Sequence, residues 1–583
     1  MTSLRPPRRR RGPRRLPAAL AGATAGVLAA ALVAAPARAE SGPAAPLGTV
    51  ARTAGHARFE PGPCPRTADP IPALKDAHCG TLTVPEKRER HDGRDDHEGP
   101  DGHDGPGDHE GPDDHDGPGD YDGRDEYDGP GDHGDHDGSG GHHGHGRTVR
   151  LGVAVIPAAS KRPAGDPIVW LAGGPGDDAV SEIPMALAGG LNRDRDVIFM
   201  GQRGTYSADP RLTCPNVDEF AAESLGLVFG APSTGRLHVE ETRKCRDRVV
   251  GLGADPSAYN GTESAADYDD LRKTLGIRKW NVFGISYGTD LALLYLRLHP
   301  QGIRAVGIDG VLPPSLAGGA VTWRAAREGF DGLFKACADQ PACDTRYPHL
   351  KATFERLVGE LEARPVTTTV TVPGRPQPVK VVLDGGVLVN WLASATHVAA
   401  GVPRSIDELA HGNPRRIAEQ WAGGKLSPQA VGRTSHGLAY GIFCREWTPY
   451  ESEADVLRAG RRLFPTFPRS VLVNAPFLAW LHQDCEAWDV PPADPSVRQR
   501  TYSDVPALVL SGGFDAQTAP SSGPYAARTL SRSTAVTVPY VAHVVFADSA
   551  CAQSITRSFF ETPTAPDTRC LADLRPPTFE IAP

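Results

Sequence analysis

The chain lacks the patterns that identify several common classes of protein. The glycine-rich stretch at 173–176 is not followed by Gly-Lys-Ser or Gly-Lys-Thr, which argues against a phosphate-binding nucleotide loop. None of the cysteines has the CxxC spacing of a structural zinc site. Beyond the N-terminal segment, no stretch is long and apolar enough to cross a bilayer. These absences disfavour nucleotide-binding, structural-zinc and membrane-spanning proteins.

Residues 1–39 have the composition of an export signal. An arginine-rich stretch precedes an apolar, alanine-rich run at 16–35, and Ala37-Arg38-Ala39 fits a small-x-small cleavage site. We therefore expect a secreted protein whose mature chain starts at Glu40. No cysteine follows the predicted cut, so neither a lipid anchor nor another stable membrane anchor is expected. The arginine pairs leave both the general secretory route and the twin-arginine route open.

Export determines how the cysteines are interpreted. The ten cysteines form an even set, and an oxidising compartment favours disulfides over free thiols. The simplest scheme joins neighbours along the chain, namely Cys64 with Cys79, Cys214 with Cys245, Cys337 with Cys343, Cys444 with Cys485, and Cys551 with Cys570. Sequence alone leaves the connectivity open.

Residues 89–146 differ in composition from the rest of the chain. They consist almost wholly of Asp, Gly, His and Pro, with too little apolar content to offset the entropy of ordering, so we predict a disordered segment. Its acidic excess accounts for the net charge of -9, and no nucleic-acid partner is predicted. Two interpretations stay open: a solvated loop, or a loose set of divalent-metal ligands without EF-hand or HExxH spacing.

Apolar runs alternate with helical patterns along most of the remaining chain, which indicates an α/β protein with a mainly parallel sheet. Strand-like flanks at 79–85 and 148–157 place the acidic segment in a turn between neighbouring strands. Helical runs and tryptophans dominate the block 317–500, which we interpret as an inserted cap. The predicted organisation is a signal peptide at 1–39, a core at 40–316, a cap at 317–500 and a C-terminal part of the core at 501–583.

The most informative motif is Gly284-Ile285-Ser286-Tyr287-Gly288, which follows a short apolar strand and precedes a helical run. A serine between two glycines at a strand-to-helix turn is typical of a nucleophile elbow. The glycines permit close approach of neighbouring backbone, and strained backbone angles are expected at Ser286. An ordinary strand-to-helix turn with a buried serine is the alternative.

An acid and a base follow this serine in the chain order of α/β-hydrolases. Asp515 lies in a Gly/Pro-rich loop just after a predicted strand, and His543 follows the next predicted strand. Histidine can remove the serine proton near neutral pH, and aspartate fixes the imidazole tautomer. The backbone N–H groups of Tyr287 and of Gly174 are the expected donors to an oxyanion.

These motifs resemble the secreted tripeptidyl-aminopeptidase-like α/β-hydrolases of actinomycetes, which are related to prolyl aminopeptidases. The shared motifs are Cys-Gly-Thr-Leu-Thr-Val-Pro at 79–85, Gly-Gly-Pro-Gly at 173–176, Gln-Arg-Gly-Thr at 202–205, Gly-Ile-Ser-Tyr-Gly-Thr at 284–289, the stretch at 503–512, Asp515 with Thr518, and the cysteine segment at 549–570. The resemblance implies a cofactor-independent serine exopeptidase that removes short peptides, tripeptides in particular, from free N-termini. It also implies that Ser286, Asp515 and His543 are the triad.

An aminopeptidase must also hold the protonated amine of its substrate. Glu446 in the predicted cap is the candidate, because a disulfide at Cys444 would hold it and the family has an acid after a cysteine. A surface salt bridge with Arg445 is the alternative role for Glu446. Two other functions of the chain stay open: an extracellular esterase of small acyl esters, and a non-catalytic secreted protein that binds divalent metal through 89–146.

Overall fold

The computed structural model describes residues 46–88, 146–427 and 432–581. The predicted export signal at 1–39 and all but the last residue of the acidic segment at 89–146 lie outside the described residues. The two ends of that segment are nevertheless informative. The strands on either side of it pair antiparallel, with Pro85 opposite Thr148, so the two flanks meet at neighbouring positions of one sheet.

Within the described residues the β-strands are β1 Arg52–Ala54, β2 Ala57–Pro61, β3 His78–Pro85, β4 Thr148–Ile156, β5 Ile168–Leu171, β6 Val197–Met200, β7 Ala208–Asp209, β8 Trp280–Ile285, β9 Ile303–Asp309, β10 Val366–Val370, β11 Val379–Leu383, β12 Ala507–Gly512 and β13 Ser533–Val538. All but β10 and β11 belong to one sheet, in the order β1-β2-β3-β4-β6-β5-β8-β9-β12-β13, with β7 beside β4. Strands β1 to β4 pair antiparallel, and the strands from β6 to β13 along this order pair parallel. This is the mainly parallel sheet of an α/β-hydrolase.

The helices of the described residues are α1 Ile183–Ala188, α2 Pro215–Glu223, α3 Pro232–Gly251, α4 Gly261–Thr274, α5 Tyr287–Leu298, α6 Gly319–Ala338, α7 Pro341–Arg346, α8 Leu350–Ala363, α9 Gly385–Ala395, α10 Val402–Ala410, α11 Arg415–Lys425, α12 His436–Ile442, α13 Glu453–Leu463, α14 Arg469–Leu472, α15 Leu481–Trp488, α16 Ser522–Ala527, α17 Val545–Asp548 and α18 Ala550–Glu561. A single π-helical turn, Phe443–Trp447, continues α12. Between β9 and β12 the chain is mostly helical.

Helices cover the sheet on both faces. Successive residues of β5 alternate between two hydrophobic clusters, with Val169 and Leu171 in one, and Ile168 and Trp170 in the other. The first cluster includes side chains of α4 and α5, and the second includes side chains of α18. Strands buried on both faces are the reason that these segments are continuous apolar runs in the sequence.

The block 317–500 packs on the sheet edge that carries the candidate site. Its hydrophobic cluster is built mainly from α6 to α11, α13, α14 and the β10–β11 hairpin, and it includes Phe514, Ala516 and Ala542 from the loops after β12 and β13. The described residues from 46 onward form one compact unit, so the cap boundaries at 317 and 500 remain predictions.

Five disulfides cross-link the described residues. They join Cys64 to Cys79, Cys214 to Cys245, Cys337 to Cys343, Cys444 to Cys485, and Cys551 to Cys570, which are the pairs of the neighbour scheme. Such disulfides persist in oxidising compartments and indicate an extracellular type of protein. In the part of the chain that the structure describes, no helix is long and apolar enough to cross a membrane, and no cluster of three or more His, Cys, Asp or Glu is arranged to hold a metal ion.

Candidate active site

Ser286 lies at a sharp turn between β8 and α5. Its backbone angles are φ 52° and ψ -125°, a conformation that residues other than glycine adopt only under strain. A side chain at Gly284 would put its Cβ 2.3 Å from the Gly288 carbonyl oxygen, and one at Gly288 would be 2.2 Å from the Leu171 carbonyl oxygen. Both glycines are therefore required by close backbone approach, and the turn has the geometry of a nucleophile elbow.

The structure brings Ser286, His543 and Asp515 together at the carboxyl ends of the parallel strands. His543 Nε2 lies 2.9 Å from Ser286 Oγ, and His543 Nδ1 lies 2.9 Å from Asp515 Oδ2. Asp515 is fully buried, because α6 lies directly on its loop: a Cβ at Gly329 would be 2.7 Å from the Asp515 carbonyl oxygen. This arrangement can activate the hydroxyl, accept its proton and stabilise the imidazolium that results.

Thr518 contacts both the acid and the base. Its hydroxyl donates to Asp515 Oδ2 at 2.7 Å and lies 3.2 Å from His543 Nδ1, and its backbone N–H donates to Asp515 Oδ1 at 2.8 Å. Burial favours the neutral form of both groups, but their mutual attraction and these hydrogen bonds prevail. As a result the pKa of Asp515 is lowered and the pKa of His543 is raised. The pair therefore favours an ionised acid beside the base.

Asp309, at the end of β9, connects the serine turn to the histidine loop. Its carbonyl accepts the Ser286 N–H at 2.9 Å, and its carboxylate accepts the N–H groups of Val545 and Phe546 at 3.1 and 2.7 Å. Burial raises the pKa of Asp309 to about 7, although the two N–H donors oppose this effect. Sequence reasoning did not single out Asp309. Its position at the end of a strand next to β8 is the signal that could have identified it.

The two predicted oxyanion donors lie next to the nucleophile. Tyr287 is the first residue of α5, and a Cβ at Gly173 would be 3.0 Å from Ser286 Cβ, so the Gly173–Gly174 turn packs against the serine. Glu182 accepts the Gly173 N–H. In the turns and loops of the described residues, no backbone carbonyl accepts the N–H of Tyr287 or of Gly174. Two N–H groups beside the serine are what an oxyanion requires.

Glu446 contacts the start of helix α4. It is buried, and its Oε1 accepts the Gly261 N–H at 2.8 Å at the start of α4. Its carboxylate also accepts from the Thr262 N–H, and burial raises the pKa of Glu446 to about 7. A carboxylate at a helix N-terminus accepts hydrogen bonds from N–H groups that have no partner within the helix, and it stabilises the helix. The geometry therefore supports a structural role for Glu446, in place of the substrate-binding role expected from the sequence.

We predict that Glu446→Gln changes the pH dependence of stability. In the unfolded chain this carboxyl has its ordinary pKa of about 4.5, whereas in the folded protein its pKa is about 7. Folding therefore binds a proton between these values, and the free energy of unfolding of the wild type should fall as the pH rises across this window. The Gln variant has no ionisable group at this position and lacks this effect. The difference between the free energies of unfolding of the two proteins should therefore change by ~3 kcal/mol between pH 4.5 and 8. Urea unfolding at several pH values measures it.

The exposed Glu486, changed to Gln, controls for the loss of one charge. Identical pH slopes for the wild type and Glu446→Gln, together with a raised KM for peptides with free N-termini, would contradict the structural role and restore the substrate-binding one.

A cavity of about 800 Å³ opens beside the oxyanion turn. Its wall includes Gly174 and Pro175 and extends into the block 317–500. The aromatic residues of the wall are Phe220, Phe229, Trp391, Trp421, Tyr440, Phe443, Phe477 and Trp480. Lys425 is also in the wall and lies 4.9 Å from the centre of the Trp421 ring. A mostly apolar cavity that also contains polar and charged groups, beside a nucleophile, is typical of a substrate-binding site.

Two carboxylates that the sequence did not single out line this cavity. Asp218, on α2, contacts His436 Nε2 at 2.8 Å, and Asp484, on α15, contacts His238 Nε2 at 3.1 Å. In the described part of the chain, neither is paired with Lys or Arg. Tyr440 lies close to both: its own burial and then the negative charges of Asp484 and Asp218 raise the pKa of its hydroxyl. These acids give one end of the cavity a negative potential.

Two families of known proteins match the chain. The family described as alpha/beta hydrolase fold matches residues 166–365, and the family described as TAP-like protein matches residues 471–570. The first match contains Ser286, and the second contains Asp515 and His543. The second match begins within the predicted cap, before the expected boundary at 501.

Curated relatives are similar at modest identity. Serine protease Hip1 of Mycobacterium tuberculosis is 25% identical over 429 residues, which cover 68% of this chain and 78% of that protein. Tripeptidyl aminopeptidase of Streptomyces coelicolor is 22% identical over 392 residues, which cover 64% of this chain and 70% of that protein. Putative hydrolase YuaR of Escherichia coli is 26% identical over 232 residues, 38% of this chain, and the match spans only 44% of its length.

Proposed function

The chain is a serine hydrolase with an α/β-hydrolase domain and a TAP-like C-terminal domain, and we propose that it is a secreted aminopeptidase that releases short peptides, tripeptides in particular, from free N-termini. The observation that carries the proposal is the adjacency of two features. A serine, histidine and aspartate in hydrogen-bond contact lie beside a cavity whose wall holds two carboxylates without a Lys or Arg partner among the described residues. The two relatives with peptidase names, Hip1 and tripeptidyl aminopeptidase, add support.

The proposed reaction begins at Ser286. Its hydroxyl attacks the scissile carbonyl while His543 accepts the proton across the 2.9 Å contact. Asp515 stabilises the imidazolium, and the N–H groups of Tyr287 and Gly174 receive the oxyanion. His543 then donates its proton to the leaving amine, and a peptidyl ester of Ser286 remains. Water, deprotonated by His543, hydrolyses this ester and restores the serine. No cofactor takes part in these steps.

The ammonium of the substrate would lie between Asp218 and Asp484. Each carboxylate already accepts two hydrogen bonds, Asp218 from Gly432 N–H and His436, and Asp484 from Thr242 and His238. These bonds fix the orientation of both carboxylates and leave lone pairs for a further donor. A carboxylate in a mostly apolar cavity attracts a cation more strongly than one in water does. An N-terminal ammonium has the charge that this end of the cavity lacks.

We predict that the free amine of the substrate is required. A tripeptide anilide with a free N-terminus should be hydrolysed with a kcat/KM about 10- to 100-fold above that of its N-acetylated form, because charged hydrogen bonds of this kind contribute roughly 1.5–3 kcal/mol. Asp218→Asn and Asp484→Asn should each reduce this ratio, mainly by raising KM for the free peptide. Steady-state kinetics on both substrates measure the effect.

Asp489→Asn is the matched control, since Asp489 follows the same helix α15 but its side chain is exposed. It should keep the wild-type ratio. Equal turnover of the free and the acetylated peptide would refute the aminopeptidase proposal. Rapid turnover of a small acyl ester without any turnover of peptides would favour the esterase alternative.

The proposal also includes export of the protein and a role for the acidic segment outside catalysis. The five disulfides support an oxidising compartment, and the N-terminal composition supports export from residue 40 onward. The acidic segment at 89–146 joins β3 to β4, and β4 lies two strands from β5, whose loop carries Gly174. We therefore propose that hydrolysis does not depend on this segment, whether or not it binds divalent metal.

A further inference from the structure

Two large apolar side chains of the cavity wall are exposed to solvent. Phe477 is 44% exposed and Val398 is 60% exposed, and both line the cavity. Among the described residues, Phe477 is the one exposed phenylalanine or tryptophan. An exposed phenylalanine in the wall of an apolar cavity leaves surface that a ligand can remove from water.

The backbone that carries Phe477 is held in an unfavourable conformation. Phe477 and Trp480 have φ values of 64° and 59°, in the left-handed region that larger side chains avoid. Such a conformation persists only where surrounding contacts enforce it, and it is often found at binding sites. Here the Phe477 N–H donates to Asn390 Oδ1 at 3.0 Å, and the Trp480 ring packs 4.9 Å from the Phe229 ring. The fold therefore maintains both aromatic side chains against the cavity.

Trp480 is next to one of the two acids of the cavity. Trp480 immediately precedes α15, and its carbonyl accepts the Asp484 N–H at 2.9 Å. His238 contacts both of them: its ring centre is 4.8 Å from that of Trp480, and its Nε2 is 3.1 Å from Asp484 Oδ2. Trp480 and Asp484 thus both lie beside His238, and Phe477, three residues before Trp480, belongs to the same cavity wall.

We propose that Phe477 and Trp480, together called the aromatic corner, form the subsite for a bulky apolar side chain on the N-terminal residue of the substrate. The inference rests on the proposed function, because Asp484 is taken to hold the ammonium. The side chain and the ammonium of an N-terminal residue are attached to the same Cα. An ammonium at Asp484 therefore places that side chain within reach of Trp480. The preferred substrates are peptides that begin with Phe, Leu or another large apolar residue.

Two free tripeptide anilides, Phe-Ala-Ala and Gly-Ala-Ala, test this subsite. The wild type should hydrolyse the Phe peptide with a kcat/KM about 10-fold or more above that of the Gly peptide, because a large apolar side chain is removed from water. Phe477→Ala should reduce this preference about 5-fold or more by lowering kcat/KM for the Phe peptide. Phe477→Leu should retain most of the preference, since leucine also offers a large apolar surface. Phe477 is exposed, so neither variant is expected to disturb folding.

Tyr502→Ala is the control, since Tyr502 is 74% exposed and does not belong to the cavity wall. It should leave the ratio of the two peptides unchanged. Equal hydrolysis of both peptides by the wild type, or an equal loss for both in Phe477→Ala, would overturn the subsite while leaving the aminopeptidase intact. Failure of both peptides alongside rapid hydrolysis of an ester would instead refute the proposed function, and the subsite with it.

Discussion

Ser286→Ala is expected to lose at least about 10⁴-fold in kcat on a free tripeptide anilide. Among the described residues, Ser286 carries the hydroxyl in contact with His543 Nε2, and the variant has no atom there that can form the acyl-enzyme. Residual hydrolysis should come only from binding and from the oxyanion donors. Initial rates at high enzyme concentration measure the loss, and labelling by a fluorophosphonate probe should disappear in parallel.

Ser531→Ala is the matched control for this variant. Ser531 is exposed and bonds only to the Ser503 carbonyl, so the change removes one hydroxyl without affecting the elbow. It should retain wild-type turnover and labelling. Labelling that persists in Ser286→Ala would show that another residue is the nucleophile.

Asp515→Asn is expected to lower kcat by about 10⁴-fold while largely preserving KM. Asp515 Oδ2 accepts from His543 Nδ1 and from the Thr518 hydroxyl, whereas Oδ1 accepts two backbone N–H groups. An amide that keeps the two backbone bonds must direct its NH₂ group at His543. That contact favours the tautomer whose Nε2 carries a proton and cannot accept one from Ser286. The pH dependence of kcat of the variant provides the diagnostic: activity should recover at high pH relative to neutral pH.

Asp309→Asn is the variant to compare with Asp515→Asn, because Asp309 is a second carboxylate at the end of a strand near His543. Asp309 bonds to the backbone of Val545 and Phe546 and not to the imidazole nitrogens. It therefore acts on His543 through the position of its loop and through its charge, which raises the pKa of His543. We expect a loss of about 10²-fold at most, because misplacement of a catalytic group by about 1 Å can cost that much. A loss in Asp309→Asn equal to that in Asp515→Asn would contradict the assignment of Asp515 as the triad acid.

The positions of Ser286, Asp515 and His543 could be predicted because each follows a strand whose apolar sequence is visible. Parallel strands bring their carboxyl ends to one edge, so three polar residues after three such strands are expected to meet. Glu446 shows the limit of this reasoning. Its Oε1 bonds to Gly261, which lies 185 residues earlier in the chain, and no local pattern near Glu446 indicates that partner. The same holds for Asp218 and Asp484, which belong to two helices that meet only at the cavity.

The sequence by itself determined the α/β class, the serine elbow, the order of acid and base, and the pairing of neighbouring cysteines as the simplest scheme. These features depend on local patterns: strand hydrophobicity, the glycines that Ser286 needs on either side, and chain order. Only the tertiary structure decided that Glu446 caps α4, that Asp309 connects the serine turn to the histidine loop, and that two acids and an aromatic corner share one cavity. The contacts of Glu446 with Gly261 and of Asp309 with Val545 join segments far apart in sequence, and Asp218 is likewise far from Asp484 in the chain. Their approach is set by how helices pack on the sheet, and a local pattern does not encode that geometry.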